Sequence, residues 1–287
     1  VKNQNSVLVN LPQPVARDFP MTLTISYSGR VTRQSIQDES ITQQRGAQPD
    51  DLPIVPPEPK WLFSNRNYWY PQNQVSDYAT ARLRITVPIE YAVVGSGIAE
   101  PGSPFAAPAA AIEGNSRQIA RATYAFTAPQ PLRYLGIVIS RMVRVDAATV
   151  ALDIVPVKAP PPDMRGADTL AQQVTRLNAA AAIPPSFESF QRSSRGDVPY
   201  DALTLAMVED DTPGGHAPGY FAMVNNPPPV QPFAVRNDPA YFQGFPEFFL
   251  AHEVAHQWFG QAVGWKNYHE QWLSEGFAQY FAALYAK

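Results

Sequence analysis

The sequence predicts an α+β protein, with an antiparallel β-rich first part and a second part whose helices carry the chemistry. Three observations predict it. Segments rich in β-branched and aromatic residues, with partial alternation, crowd the first half of the chain. A proline-rich run, Pro156–Arg165 (PVKAPPPDMR), then interrupts it. Beyond that run, apolar residues recur at helical spacings, most clearly around two histidines. The domains expected are therefore residues 1–157, an incomplete amino-terminal β-sheet domain, and residues 158–287, the start of a second domain.

In chain order, Met21–Ser28 (MTLTISYS), Ala81–Val87, Tyr91–Gly97, Ala122–Thr127 and Leu132–Ser140 read as strands. Gln48–Pro59, with five prolines, and the Pro/Ala-rich Pro101–Ala111 read as exposed loops. Ala167–Ala182 reads as a helix with Leu170, Val174 and Leu177 on one face. Pro184-Pro185 is expected to end it, and Ser186 to cap a short helix through Phe190. Strands are expected near Ala202–Val208 and Tyr220–Asn225, joined by a loop containing Pro213-Gly214-Gly215-His216.

The next helix begins well at Pro246, where a missing N–H costs nothing, and Glu247 suits its positive end. Gly260 is a plausible stop. Phe245, Phe249, His252, His256 and Phe259 recur at spacings of three and four and form one stripe. His252-Glu253-Val254-Ala255-His256 matches H-E-x-x-H, a zinc-peptidase pattern. The two imidazoles lie one turn apart and can share one ion. Glu253 is displaced by about 100° from His252, beside the ion rather than on it. Eighteen residues separate His256 from Glu275, which opens a second helix with Ser274 as N-cap. Phe277, Tyr280, Phe281 and Leu284 supply that helix's apolar face, and Gly276 allows close approach to the first. Two histidines and a glutamate leave a fourth zinc position open, as in catalytic sites. Of the remaining histidines, His216 reads as a solvated loop residue and His269 as part of a surface turn.

Composition limits the alternatives. The chain has 287 residues, 45% hydrophobic and 16% charged, with net charge −3. Nothing in that balance recruits nucleic acid or an anionic membrane. No apolar run is long enough to span a bilayer. The absence of cysteine excludes disulfides and thiolate ligands. Thirty prolines and frequent short β-like segments suit an exported or cell-envelope protein, and the compartment is otherwise open.

His252–Gly260 (HEVAHQWFG) and Trp272–Tyr280 (WLSEGFAQY) resemble the membrane alanine aminopeptidase family of gluzincin zinc metallopeptidases. Asp197–Val208 resembles the strand that family places before its substrate-binding segment, and Asp77–Val94 a strand pair of its amino-terminal β domain. The resemblance implies a thermolysin-like catalytic domain behind the β domain, truncated at its carboxy-terminal side. It implies one zinc ion per chain on His252, His256 and Glu275, and Glu253 as general base toward zinc-bound water. It implies a peptide substrate, bound along Ala222, Met223 and Asn225.

Two family features are altered. The family's Gly-Ala-Met-Glu-Asn, whose Glu holds the substrate's amino terminus, is represented by Phe221-Ala222-Met223-Val224-Asn225. A valine cannot pair with an ammonium. Strict aminopeptidase specificity would need another carboxylate in its place, such as Glu209, Asp210 or Asp211. The family's oxyanion-stabilising tyrosine lies well downstream of the Glu ligand, whereas Lys287 is twelve residues after Glu275. Tyr280 and Tyr285 read as packing residues. The expectation is a fragment of a longer protein lacking its carboxy-terminal domain, weakly active or inactive alone. Two alternatives stay open: a zinc-binding non-catalytic module, and a peptidase without strict amino-terminal specificity.

Overall fold

The computed structural model describes residues 9–33, 58–72, 77–111, 118–147, 150–154, 170–195, 197–208, 215–225 and 248–287. Most of the loop expected at Gln48–Pro59, the run Pro156–Arg165, the acidic Glu209, Asp210 and Asp211, and Phe245, Pro246 and Glu247 lie outside the described residues. So do the side chains of Leu170, Val174, Leu177, Asn225 and Phe249. The chain divides into two compact units, Val1–Val31 and Thr32–Lys287.

In the first unit, residues 9–31 form no regular strand or helix. Met21, Leu23, Ile25 and Tyr27 alternate as a strand would require, yet all are 43–60% exposed. The strand expected at Met21–Ser28 is therefore absent. Alternation creates an apolar face, but a strand needs a partner ladder for its backbone groups.

The second unit is layered. β1 (Lys60–Phe63), β3 (Ala92–Gly95) and β7 (Ile137–Ser140) make a three-stranded antiparallel sheet in the order β1-β7-β3. β2 (Ala79–Pro88), β4 (Ile98–Ala99), β5 (Phe105–Ala111) and β6 (Gln118–Leu132) make an antiparallel sheet centred on β6. A third, mixed sheet has the order β11-β12-β10-β9-β8, from β8 (Val143–Ala147), β9 (Val150–Ile154), β10 (Thr204–Val208), β11 (Gly215–His216) and β12 (Phe221–Asn225). Strands from both sides of residue 157 share this sheet.

The pleat explains the stacking. Val93 and Ile137 pack with Leu83, Val87 and Phe126 of the β2/β6 sheet. Their neighbours Val94 and Val138 point the other way and pack with Ala206, Val208, Phe221 and Met223 of the mixed sheet. The three-stranded sheet is thus covered on both faces, which is why β3 and β7 read as unbroken apolar runs. The opposite face of the mixed sheet, through Leu205, Met207, Ala222 and Val224, packs on helices α1 (Leu170–Arg195) and α2 (Phe248–Ala255), and α3 (Gln271–Ala286) packs on α2.

Two further expectations are corrected. Pro101–Ala111 is not wholly loop, because β5 pairs with β6 and its register shifts between Ala107 and Ala110, around Pro108. Alanine has weak strand preference, so the partner strand decides, and an irregular edge accommodates the proline. Pro184-Pro185 does not end a helix, since α1 runs through both. Each proline removes a helical hydrogen bond, but Ala180, Ala181, Ile183 and Phe187 bury against the helix-side core and hold the rod together. No helix among the described residues is long and apolar enough to cross a membrane.

Candidate metal centre

One side of α2 is apolar. Leu250, Ala251, Val254 and Ala255 are 0–4% exposed and face the mixed sheet. His252 and His256 share a neighbouring flank, with ring centroids 4.7 Å apart and planes at 90°. Regular helix ends at Ala255 rather than at Phe259. Gln257 N–H and Trp258 N–H then donate three residues back, to the carbonyls of Val254 and Ala255. Gly260, at φ +121°, turns the chain out of this tightened end.

α3 begins at Gln271, so Ser274 sits inside it rather than capping it. The buried residues of α3 are Ser274, Ala278, Phe281 and Ala282. Of the expected apolar face only Phe281 is buried, while Phe277, Tyr280 and Leu284 are 40–55% exposed. Gly276 is exposed and meets nothing closer than Trp272 at 3.8 Å. The close approach falls instead at Gly260, where a Cβ would overlap Ser274 Oγ.

These elements bring three ligand atoms together. His252 Nε2 and His256 Nε2 are 3.1 Å apart. Glu275 Oε2 lies 3.3 Å from the first and 3.4 Å from the second. Zinc bonds of 2.0–2.1 Å at tetrahedral angles require ligand–ligand edges of about 3.3–3.4 Å. The triangle therefore fits a small tetrahedral cation on one side of it. Two imidazoles and a carboxylate also suit zinc better than calcium or magnesium, which prefer all-oxygen shells.

Electrostatics point the same way. Burial pulls the His256 imidazolium down, but the charge and hydrogen bond of Glu275, the charge of Glu253 and the Phe259 carbonyl outweigh it and raise the ring to about 9. Burial likewise pushes Glu275 up, yet the two imidazoles hold its carboxyl well below the usual carboxylate range. The site attracts positive charge. His256 Nδ1 sits 2.9 Å from the Phe259 carbonyl. Donation there commits the Nδ1 proton and leaves Nε2 as the ligand nitrogen.

Glu253 is 5% exposed and lies against β11, where a Cβ on Gly215 would overlap its carboxyl group. On the two-residue pleat of β11, His216 faces away from that carboxylate. It is 3% exposed and stacked on Tyr134, not solvated as the sequence led one to expect. His269 lies exposed in a 3₁₀ turn.

The substrate residues do not form an open edge. β11 covers β12, with Gly215 opposite Val224 and His216 opposite Met223. Ala222 and Met223 are fully buried and belong to opposite faces of the sheet, and Val224 is 5% exposed in the helix-side core. Tyr285 packs on Phe187 and Phe190, and Tyr280 edges against Phe281.

Sequence reasoning missed two glutamines. Gln257 Oε1 accepts from Tyr220 N–H, and its Nε2 donates to the carbonyls of Pro218 and Phe221. Gln261 Nε2 donates to Ala217 O and Tyr134 Oη. The available signal was a pair of amides in an apolar stretch, both 3% exposed.

A helix pair brings two histidines and a glutamate within reach of one metal ion, with a second glutamate buried on the same helix as the histidines. Residues 247–287 match the Peptidase family M1 domain. Aminopeptidase O of Mus musculus is 50% identical over 36 residues, covering 12% of this chain and 4% of that protein. Aminopeptidase Q of Felis catus is 53% identical over 34 residues, covering 12% and 3%. An M1 zinc metallopeptidase from Deinococcus radiodurans aligns over 82% of this chain and 48% of its own, at 20% identity and TM-score 0.47. The matched segment is similar to the M1 peptidase domain, and the alignments span only a few per cent of the two aminopeptidases' length.

Proposed function

We propose that this protein is a zinc-dependent peptidase with one zinc per chain, held by His252, His256 and Glu275. The observation that carries the reading is the 3.1–3.4 Å triangle of their ligand atoms. When bound, zinc supplies a Lewis acid that polarises a carbonyl and makes a water acidic. Glu253 is the general base. It takes a proton from the attacking water and delivers it to the leaving amine, help typically worth 10²–10⁴-fold. Burial against Gly215 keeps its carboxylate in one place. A module holding zinc only for shape has no use for this group.

Val224 favours a particular form of the activity. It is buried in the core at the position of the family's amine-binding glutamate, and a valine offers no charge to an ammonium. We therefore propose cleavage without strict dependence on a free amino terminus. Extended substrate would meet β11, the strand outside β12. Tyr285 is committed to aromatic packing on Phe187 and Phe190 and takes no part in this chemistry.

Metal analysis of the purified chain beside a His252→Ala variant tests the core of this reading. About one zinc per chain is expected in the first and almost none in the second. Near-zero zinc in both would remove the basis for a hydrolase.

A further inference from the structure

We propose that Ser274 and Arg133 are positioning residues that set the metal affinity of His256 through the Phe259–Gly260 turn. The inference rests on the zinc reading above and concerns what holds the ligand in place.

The Phe259 carbonyl is a shared acceptor. His256 Nδ1 lies 2.9 Å from it, and Ser274 Oγ donates to it at 2.8 Å. Ser274 is only 9% exposed and is followed directly by Glu275. One hydroxyl thus ties the turn that orients His256 to the helix that carries the carboxylate ligand. The next carbonyl, of Gly260, accepts from Arg133 Nη1 at 3.3 Å. Arg133 follows β6 in the chain and stacks over the Trp265 ring at 3.4 Å, in the connection between α2 and α3. Two consecutive carbonyls are therefore gripped from outside α2, by α3 and by the β-rich part. Gly260 makes the arrangement possible, since a Cβ there would overlap Ser274 Oγ and lie 3.5 Å from His256 Nδ1.

The physical consequence is specific. A carbonyl held still beneath Nδ1 fixes the ring plane and enriches Nε2, and losing such a partner typically costs 10–100-fold in metal affinity. Packing alone would give a different result. If Ser274 merely filled space, alanine would fit and affinity would not move.

The test is zinc titration of the metal-free 287-residue chain against a chromophoric chelator, for the unsubstituted protein, Ser274→Ala and Arg133→Leu. Circular dichroism of each metal-free protein monitors folding, and visible absorption of the cobalt(II) forms reports ligand geometry. Ser274→Ala is expected to bind zinc at least about tenfold more weakly with an altered cobalt spectrum and an unchanged fold. Arg133→Leu is expected to move the same two readouts in the same direction. Unchanged affinity and cobalt spectrum in folded Ser274→Ala overturn the proposal, and so does Arg133→Leu behaving as unsubstituted protein. If Ser274→Ala fails to fold, Arg133→Leu decides, because its side chain lies outside both metal-bearing helices. Absence of zinc binding by the unsubstituted chain would instead remove the underlying reading, and this one with it.

Discussion

The metal triangle and the β11/β12 strand pair lie against each other through Glu253 and Gly215, yet they are built on different terms. Around the triangle, side chains do the work, and their spacing along two helices decides where they meet. At β11 and β12, backbone pairing and burial decide, and the side chains first assigned to substrate, Ala222 and Met223, are sealed in opposite core layers. Chemistry that depends on donor atoms is therefore readable from residue type and interval. Chemistry that depends on an exposed main-chain edge rests on which strand lies outermost, a tertiary property.

Three substitutions or conditions press on this contrast. Glu253→Gln should lower peptide turnover of the active enzyme by about 10²–10⁴-fold while leaving zinc content unchanged. Loss of zinc alongside activity would mean that Glu253 belongs to the triangle rather than beside it. Val224→Glu buries a carboxylate in the helix-side core and should destabilise the fold by about 3 kcal/mol or more, read as a fall in the denaturation midpoint. A new preference for free amino termini at undiminished stability would show the strand pair to be an open substrate wall after all.

The smallest effect concerns pH. In metal-free protein His256 is held above its ordinary value, at about 9. Its charged form therefore stabilises the fold fully below about pH 6.5, and that contribution is lost as pH rises through about 9. The melting temperature of the metal-free chain should fall across this interval, and zinc, which requires an unprotonated ring, should flatten the dependence. A metal-free profile that rises over the same range would mean that burial, not the Glu275 charge, governs the ring.

The legible part of the site is compact. H-E-x-x-H and Glu275 could be placed because a helix converts an interval into a direction. The role of Ser274 could not. Its position reads as an N-cap, but α3 starts earlier and turns the hydroxyl toward Phe259. The β-rich half shows the same limit. Leu83 and Val87 alternate and are buried in β2, whereas Leu23 and Ile25 alternate equally well and remain exposed. Pattern describes what a segment could bury, and only a neighbour determines whether it does. Pro184 and Pro185 make the converse case, where local preference was unambiguous and packing overrode it.

The Gln257 carboxamide makes one oxygen and two hydrogen contacts to the chain leading into β12. Shifting α2 along the sheet by a single residue would forfeit all of them together. Helix and strand are thereby kept in gear, so that the two histidines keep their place over the sheet.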